Sequence, residues 1–274
     1  MTRTLKLLLL PIAAITGLAL LWGRDAQPAA APVAVAALPQ PIVRWQVLLA
    51  DGTDVKDAQH ATPRVDTAFL GARIDSIHNG GGGGLYLLAI DANAANNAPL
   101  LLEIPAKGLV YQGAPQRRAG EGPMSFKKRL EEYEKRAANA ASARHQAQLQ
   151  WQRARTAFLK SCQVLLADTY RSDNPEHKRS DVIRAFNKAL NILNEIDSAG
   201  GLVEKSIIAF TDGVNNVKGR TLQSIPADIT IVIVNPSAES TAMCLPDSAI
   251  TVVPHPARVN DALARRDASI TERH

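Results

Sequence analysis

The chain has 274 residues, of which 46% are hydrophobic and 21% are charged. This is the composition of a globular protein, and it excludes a chain that is mainly disordered or collagen-like. Two cysteines exclude a disulfide-rich scaffold and a four-cysteine zinc site. The formal net charge of +5 points to an anionic partner such as nucleic acid, provided that the basic residues belong to the folded domain.

The N-terminal segment has the pattern of an export signal. Arg3 and Lys6 precede an uncharged apolar run over residues 7–22. Basic residues before such a run keep the N-terminus in the cytoplasm and send the rest of the chain across the membrane. We therefore expect residues 1–24 to be a signal anchor in the inner membrane, with a cleaved signal peptide as the alternative. An Ala/Pro-rich linker follows at 25–41.

The two cysteines, Cys162 and Cys244, would then lie in the periplasm of a bacterial envelope. An exported protein can keep a disulfide, and with one pair there is one connectivity. Nothing in the sequence places the two residues close together. A disulfide and two buried thiols therefore both stay open.

The remaining chain, residues 42–270, alternates apolar runs of strand length with amphipathic segments. Continuous apolar runs are typical of strands that are buried on both faces of a sheet. They predict strands at 42–50, 85–90, 99–104, 206–211, 229–234 and 249–253. Helical spacing of the apolar residues predicts helices at 58–77, 180–196 and 259–266. A short loop between the second and third strands predicts a hairpin. This pattern predicts an α/β fold with a doubly wound, mostly parallel sheet flanked by helices.

Two glycine-rich points mark the ends of predicted helices. The run Gly80–Gly84 leads into a strand and has no Lys-Ser/Thr after it, so we expect a flexible connection rather than a phosphate cradle. Gly200 and Gly201 are expected to stop the helix that begins at Ser180.

A long helix is predicted between the third and fourth strands. Residues 124–173 contain no glycine or proline and are mainly strong helix formers. A heptad-like seam diluted by alanine runs along them: Phe126, Leu130, Tyr133, Ala137, Ala140, Ala147, Trp151, Ala154, Phe158 and Leu165. A helix of this kind would be about 60 Å long, so we expect it to project beyond the domain or to fold back as a hairpin. We interpret residues 113–174 as a helical insertion, which either packs on its own domain or provides an arm, 117–165, for a partner.

The basic residues concentrate in this helix. Residues 117–160 carry a net charge of +7, and the flanks of the N-terminal apolar run carry +2, so the rest of the chain carries −4. Acidic residues are interleaved with the basic ones, and the expected location is extracytoplasmic, so we predict no nucleic-acid partner. An anionic lipid surface or an acidic protein partner fits better.

Polar residues follow two predicted strands and open one helix. Asp51-Gly52-Thr53-Asp54 follows the first strand, Thr211-Asp212-Gly213 follows a later strand, and Ser180-Asp181 opens the amphipathic helix. The carboxyl ends of strands in an open α/β sheet meet at one crevice, where ligands bind. Carboxylate and hydroxyl oxygens are the ligands that Mg²⁺ prefers.

This set of motifs resembles the von Willebrand factor A family. In that family a strand ends in Asp-x-Ser-x-Ser, a Thr heads a later helix, and a further strand ends in Thr-Asp-Gly. The closest match is the segment 207–213, whereas Val55 replaces a hydroxyl of the first motif and Ser180 replaces the Thr of the second. The resemblance covers residues 42–112 and 175–266.

The resemblance implies a metal-ion-dependent adhesion site. Its ligands would be Asp51, Thr53 and Ser180 directly and Asp212 through water, and an acidic side chain of a partner would complete the shell. Asp54 and Asp181 are further candidates in the same loops. The ion would be Mg²⁺, with Mn²⁺ or Ca²⁺ as alternatives.

We therefore expect a membrane-anchored, extracytoplasmic binding module of the von Willebrand factor A type that mediates protein–protein interaction, and not an enzyme. No set of nucleophile and base can be assembled from the scattered histidines and serines. Two alternatives stay open. One is a metal-dependent hydrolase or phosphotransferase that uses the same acidic crevice. The other is a scaffold whose metal site has decayed and which binds through its helical arm.

Overall fold

A computed structural model describes residues 41–52, 64–94, 96–108, 115–118, 120–171, 179–196, 202–213, 217, 219–235 and 250–271. The expected anchor and linker lie outside these residues, as do Thr53, Asp54 and Cys244. The described residues belong to one compact unit, Gln40–His274. Within them, no helix combines the length and the apolar character that crossing a membrane requires.

A six-stranded, mostly parallel sheet forms the centre of the fold. Its strands are β1 (Val43–Asp51), β2 (Gly83–Ile90), β3 (Leu100–Ile104), β4 (Val203–Phe210), β5 (Ile229–Val234) and β6 (Ile250–Val253). They lie in the order β3-β2-β1-β4-β5-β6. β3 pairs antiparallel with β2, and every other neighbouring pair is parallel. The predicted α/β class and the β2–β3 hairpin are confirmed.

Helices cover both faces of the sheet. They are α1 (Thr67–Gly80), α2 (Pro123–Thr169), α3 (Val182–Asn194) and α4 (Val259–Thr271). Leu48 and Ala50 of β1 join the core shared with α1, α2 and α4, whereas Val47 and Leu49 join the core shared with α3. Successive strand residues point to opposite faces, so a continuous apolar run fills two separate cores.

α1 begins later than the predicted range 58–77. Asp66 has an extended backbone, and its carboxylate accepts a hydrogen bond from Phe69 N at 2.7 Å, so it caps a helix that starts at Thr67. Arg64 to Asp66 are not helical, and the earlier residues of the predicted helix lie outside the described part of the chain.

α3 is also shorter than predicted. Asp181 is its N-cap, so Ser180 precedes the helix instead of opening it. The helix ends at Asn194 with Glu195 as its C-cap. Gly200 and Gly201, which were predicted to stop it, lie outside the described residues. The predicted apolar face of the helix is buried.

The Gly80–Gly84 run connects α1 to β2, as predicted, and its flexibility stays a prediction. Gly81 and Gly82 form the turn after α1 with φ values of 134° and 82°, which favour glycine. Gly83 and Gly84 already belong to β2. A Cβ atom on Gly84 would lie 2.2 Å from the ring of Trp45, so a larger residue there would require this ring to move.

α2 is a single uninterrupted helix of 47 residues, so it does not fold back as a hairpin. At 1.5 Å per residue its length is about 70 Å, whereas a strand as long as β1 spans about 30 Å. Residues 123–148 include no buried residue, and the buried ones are Phe158, Cys162, Leu166 and Thr169. The C-terminal third of α2 therefore packs on the domain, and the first half projects beyond it.

The predicted seam of α2 is only partly correct: Phe158 is buried, and Trp151 and Leu165 pack against the same core. Ala147 and Ala154 are exposed, while Cys162 and Leu166 are buried although the seam omitted them. A strict seven-residue repeat drifts by about 20° per heptad around a straight helix, and over this length the drift moves the seam off the packed face. Cys162 carries a free thiol.

Candidate functional site

Four polar residues lie where the parallel strands end. Asp51 is the last residue of β1, and Asp91, Thr211 and Asn235 directly follow β2, β4 and β5. All four are buried, with exposed fractions of 7%, 7%, 0% and 1%. Because the carboxyl ends of parallel strands share one edge of the sheet, these residues lie along one edge, where open α/β folds form their ligand-binding crevice.

Asp51 and Thr211 occupy the centre of this edge. β1 and β4 are neighbours in the sheet, and the chain continues from β1 to one side and from β4 to the other. Ligands of open α/β sheets bind in the crevice at such a reversal of strand order. The predicted site residue Asp51 therefore lies at the position that the topology favours for a ligand.

Three side chains form a hydrogen-bonded group that we call the Asp51 cluster: Asp51, Ser180 and Thr211. Ser180 Oγ donates a hydrogen bond to Asp51 Oδ1 at 2.8 Å, and Thr211 Oγ1 donates one to Asp51 Oδ2 at 2.7 Å. Thr211 Oγ1 accepts a hydrogen bond from Gly213 N at 3.0 Å. Hydroxyl groups thus hold both oxygens of a buried carboxylate, which orients all three side chains.

Of the other predicted ligands, Asp212 adjoins the cluster in sequence, and two lie outside the described residues. Asp212 follows Thr211 and is partly exposed, and its carbonyl oxygen accepts a hydrogen bond from Asn235 Nδ2 at 3.4 Å. Thr53 and Asp54 lie outside the described part of the chain. The structure therefore brings Asp51 and Ser180 together and places Asp212 next in sequence to a member of the cluster.

Asp181 has a structural position at the start of α3. Its carboxylate is fully buried and accepts a hydrogen bond from Arg184 N at 3.2 Å. The same carboxylate pairs with Arg220 Nε at 3.3 Å, and the Asp181 backbone N donates to Asp91 O at 3.1 Å. These contacts fix the start of α3, and with it the position of Ser180.

Besides Asn235, two residues of the crevice were absent from the predicted metal ligands: Asp91, and Thr211, which was named only as part of the Thr-Asp-Gly motif. Thr211 binds Asp51 directly, and Asp91 organises the loop after β2. Asp91 accepts hydrogen bonds from Asn93 N at 2.7 Å and from Asn97 Nδ2 at 2.9 Å. The signal that could have identified both residues is a polar residue immediately after an apolar strand.

The C-terminal end of α2 packs against the crevice. A Cβ atom on Gly52 would lie 2.1 Å from Thr169 O, so only glycine fits beside the end of this helix. Tyr170, the C-cap of α2, accepts a hydrogen bond on its hydroxyl from Val65 N at 2.9 Å. α2 thus contacts both ends of the segment between Gly52 and Val65. Burial, and to a smaller extent the charge of Asp51, raises the pKa of Tyr170 to about 12.

The donor set of the Asp51 cluster suits a hard divalent cation, because it combines one carboxylate with two hydroxyl groups. Among the described residues, no three His, Cys, Asp or Glu side chains come together as a group that could hold a metal ion. A cation at this site would therefore depend on hydroxyl oxygens and water in addition to Asp51. That is the kind of ligand set which the sequence resemblance implies.

Comparison with known proteins gives no match: no protein-family model fits the chain, and neither a curated protein nor a solved structure is significantly similar to it.

Proposed function

We propose that this chain is a membrane-anchored, extracytoplasmic binding module with a von Willebrand factor A-like domain. It contacts a protein partner through a divalent cation, for which Mg²⁺ is the first candidate. Asp51, Thr53 and Ser180 hold the cation directly, and Asp212 holds it through water. The observation that carries the proposal is the Asp51 cluster, in which two hydroxyl groups bind the carboxylate at the reversal of strand order.

The arrangement of the sheet supports the family assignment. The antiparallel hairpin of β2 and β3 follows α1, as the resemblance implies. The strand order is that of doubly wound sheets, which carry helices on both faces and bind ligands at the carboxyl edge. In this interpretation α2 is an insertion between β3 and α3, and the apolar run at residues 7–22 holds the domain at the periplasmic side of the inner membrane.

The chain's own residues have distinct tasks in partner binding. Asp51 provides the charge that attracts the cation, and the hydroxyl groups of Ser180 and Thr211 fix the orientation of that carboxylate. A bound cation with an open coordination position attracts an acidic side chain of the partner. Asp181 keeps Ser180 in place because it caps α3 and pairs with Arg220.

The test is a thermal-unfolding titration of the full-length chain in detergent with Mg²⁺ and Mn²⁺. A ligand at 100 times its Kd stabilises the folded state by about 2.7 kcal/mol, which raises the Tm of a domain of this size by about 5–10 °C. We expect this shift in the wild type and its loss in Asp212→Ala.

Asp228→Ala is the matched control. It removes the same charge from a side chain that is 63% exposed and precedes β5, at the opposite edge of the sheet. We expect this variant to keep the full metal response. If the wild type shows no stabilisation by either metal, the cation proposal fails, and a scaffold that binds through its helical arm takes its place.

The same samples distinguish the enzymatic alternative. Turnover of a generic phosphoester by the wild type, with loss of that turnover in Asp51→Ala, would assign the crevice to a metal-dependent hydrolase or phosphotransferase. Absence of turnover together with a metal response supports the binding module.

A further inference from the structure

The far end of α2 has a hydrogen-bonded structure of its own, which we call the tip and define as residues 115–118 and 120–130. Glu121 lies at its centre. Arg129 donates hydrogen bonds to Glu121 Oε1 at 3.1 Å and to Oε2 at 2.6 Å, and Arg118 N donates to Oε2 at 3.0 Å. Arg117 donates two further bonds, at 3.0 and 2.8 Å, to the Glu121 carbonyl oxygen. These contacts hold the residues before α2 against its first turns.

The tip presents a concentrated positive charge. Its five basic residues are Arg117, Arg118, Lys127, Lys128 and Arg129, and Glu121 is its one acidic residue. Glu121 is 11% exposed and forms an ion pair with Arg129. That pair is neutral, so Arg117, Arg118, Lys127 and Lys128 provide the net charge of the tip. The Lys127 side chain is 71% exposed, and its ion pair with Glu131 is 3.8 Å long and solvated, so that pair is weak.

An apolar side chain projects from the same tip. Met124 is 78% exposed, the highest exposure among the large hydrophobic residues of the described part of the chain. Phe126 follows two residues later in the same helix, with the Arg129 guanidinium 5.8 Å above its ring. Basic residues around an exposed apolar side chain are typical of a surface that lies on anionic headgroups and inserts into the interface.

The proposed anchor makes a membrane the nearest anionic surface. A fully extended linker over residues 25–41 spans at most about 60 Å. The half of α2 without buried residues, 123–148, adds about 40 Å of reach. The tip can therefore touch the bilayer over a wide range of domain orientations.

We propose that the tip binds the anionic headgroups of the bilayer in which the chain is anchored. Arg117, Arg118, Lys127 and Lys128 contact the headgroup phosphates, and Met124 enters the interface. The inference rests on the membrane anchor of the proposed function, but it does not depend on the cation site. Binding at both the anchor and the tip would hold the domain in one orientation on the membrane.

The test measures the distance of the tip from the membrane surface. The full-length chain is reconstituted into vesicles of phosphatidylcholine alone or with about one third phosphatidylglycerol. A fluorophore on Ser125→Cys reports energy transfer to an acceptor on the headgroups, in a Cys244→Ser background. Cys162 stays unlabelled because it is buried and burial raises the pKa of its thiol to about 12. We expect higher energy transfer in the anionic vesicles than in the neutral ones. This difference should disappear in about 1 M salt, where charges are screened within about 3 Å.

Two variants with equal charge changes locate the contact. The tip variant carries Arg117→Gln, Arg118→Gln, Lys127→Gln and Lys128→Gln. The shaft variant carries Lys135→Gln, Arg136→Gln, Arg153→Gln and Lys160→Gln, which are exposed residues elsewhere on α2. Each basic residue at an anionic surface changes the ratio of bound to unbound tip about five-fold. For four residues these factors multiply to several hundred-fold, and we expect the tip variant to lower the ratio by about this amount. The shaft variant should resemble the wild type.

Other outcomes overturn the proposal. Equal transfer in the two kinds of vesicle excludes lipid binding by the tip, and a tip-dependent fluorescence change on adding polyglutamate would then assign the tip to an acidic protein. Equal losses in the two variants would show that charge anywhere on α2 is sufficient, and would exclude a specific tip. Vesicle flotation distinguishes the membrane anchor from lipid binding by the tip. If the chain floats only with anionic vesicles and only with an intact tip, the anchor is contradicted and lipid binding by the tip is supported.

Discussion

Two hydroxyl groups determine how the Asp51 carboxylate is held. Thr211→Val keeps the shape of the side chain but removes the hydroxyl that binds Asp51 Oδ2 and accepts from Gly213 N. Leaving a buried polar group without its partner costs about 1–3 kcal/mol. We expect the free energy of unfolding in urea to fall by about this amount, and the stabilisation by Mg²⁺ to disappear.

Thr230→Val serves as the control for this change. Thr230 is a buried threonine near the start of β5, at the other edge of the sheet. We expect Mg²⁺ to stabilise this variant as much as the wild type. A Thr211→Val variant that responds to Mg²⁺ like the wild type would show that the Asp51 cluster does not support cation binding.

Cys162 leads to a prediction for alkaline solution. Burial raises the pKa of its thiol from an ordinary 9.0 to about 12. Between these values the unfolded chain loses the proton and the folded chain keeps it. The stabilisation from this group is therefore complete below pH 9 and is lost as pH rises toward 12. The loss amounts to at most about 1.4 kcal/mol per pH unit.

Cys162→Ala removes the titrating group. The free energy of unfolding should then fall less steeply with pH between 9 and 12 than in the wild type, when both are measured by urea denaturation. The variant has its own loss of packing, so the slope and not the absolute stability is the result that matters. Identical slopes would mean that the thiol is not buried in the folded chain.

The sequence identified part of the site because some of its residues belong to motifs. Asp51 and Ser180 were predicted from their place after a strand and before a helix, and they form a hydrogen bond. Thr211 was recognised as part of the Thr-Asp-Gly motif but not as a partner of Asp51, and Asp91 was not singled out, because one polar residue after a strand is also typical of an ordinary turn. Their role becomes visible only when the order of the strands places them on the same edge as Asp51.

The long helix α2 has two halves with different surroundings. Phe158 is 6% exposed and belongs to the core shared with α1, whereas Phe126 is partly exposed in the half that has no buried residue. Phe158→Ala is expected to lower the free energy of unfolding by about 3–5 kcal/mol, as is usual for a phenylalanine in a core. Phe126→Ala should cost less than about 1 kcal/mol.

Urea denaturation of the two variants measures this difference. They remove the same atoms from the same helix, so intrinsic helix propensity cancels between them. Equal losses of stability would contradict the account, because they would show that the first half of α2 is also packed against the domain.

Elements whose pattern depends on burial could be predicted well from the sequence. The β4 and β5 strands stood out as apolar runs because each is buried on both faces. Helix boundaries that depend on a single capping residue were predicted less well. One example is the start of α1 at Thr67, which is determined by its N-cap Asp66. The seam of α2 could not be placed because seven-residue and straight-helix repeats nearly coincide over short lengths and separate only over the full helix.

For the whole molecule, the distribution of charge matters more than its sum. The net charge of +5 hides an excess of +7 over residues 117–160 and a deficit in the rest of the chain. The structure places many of these basic residues on the exposed surface of α2, away from the crevice that contains Asp51. The order of the strands in the sheet could not be predicted from the apolar runs, because several orders are compatible with the same runs. That order brings the ends of β1 and β4 together at one site.

The most direct test of the central claim is anomalous diffraction from crystals of the protein grown with Mn²⁺. We predict a single strong peak in the anomalous difference map at the carboxyl edge of the sheet, about 2.0–2.3 Å from oxygens of Asp51 and Ser180. Asp212 should be linked to the ion through water. No peak at this position, with Asp51 still bound to the hydroxyl groups of Ser180 and Thr211, would contradict this prediction.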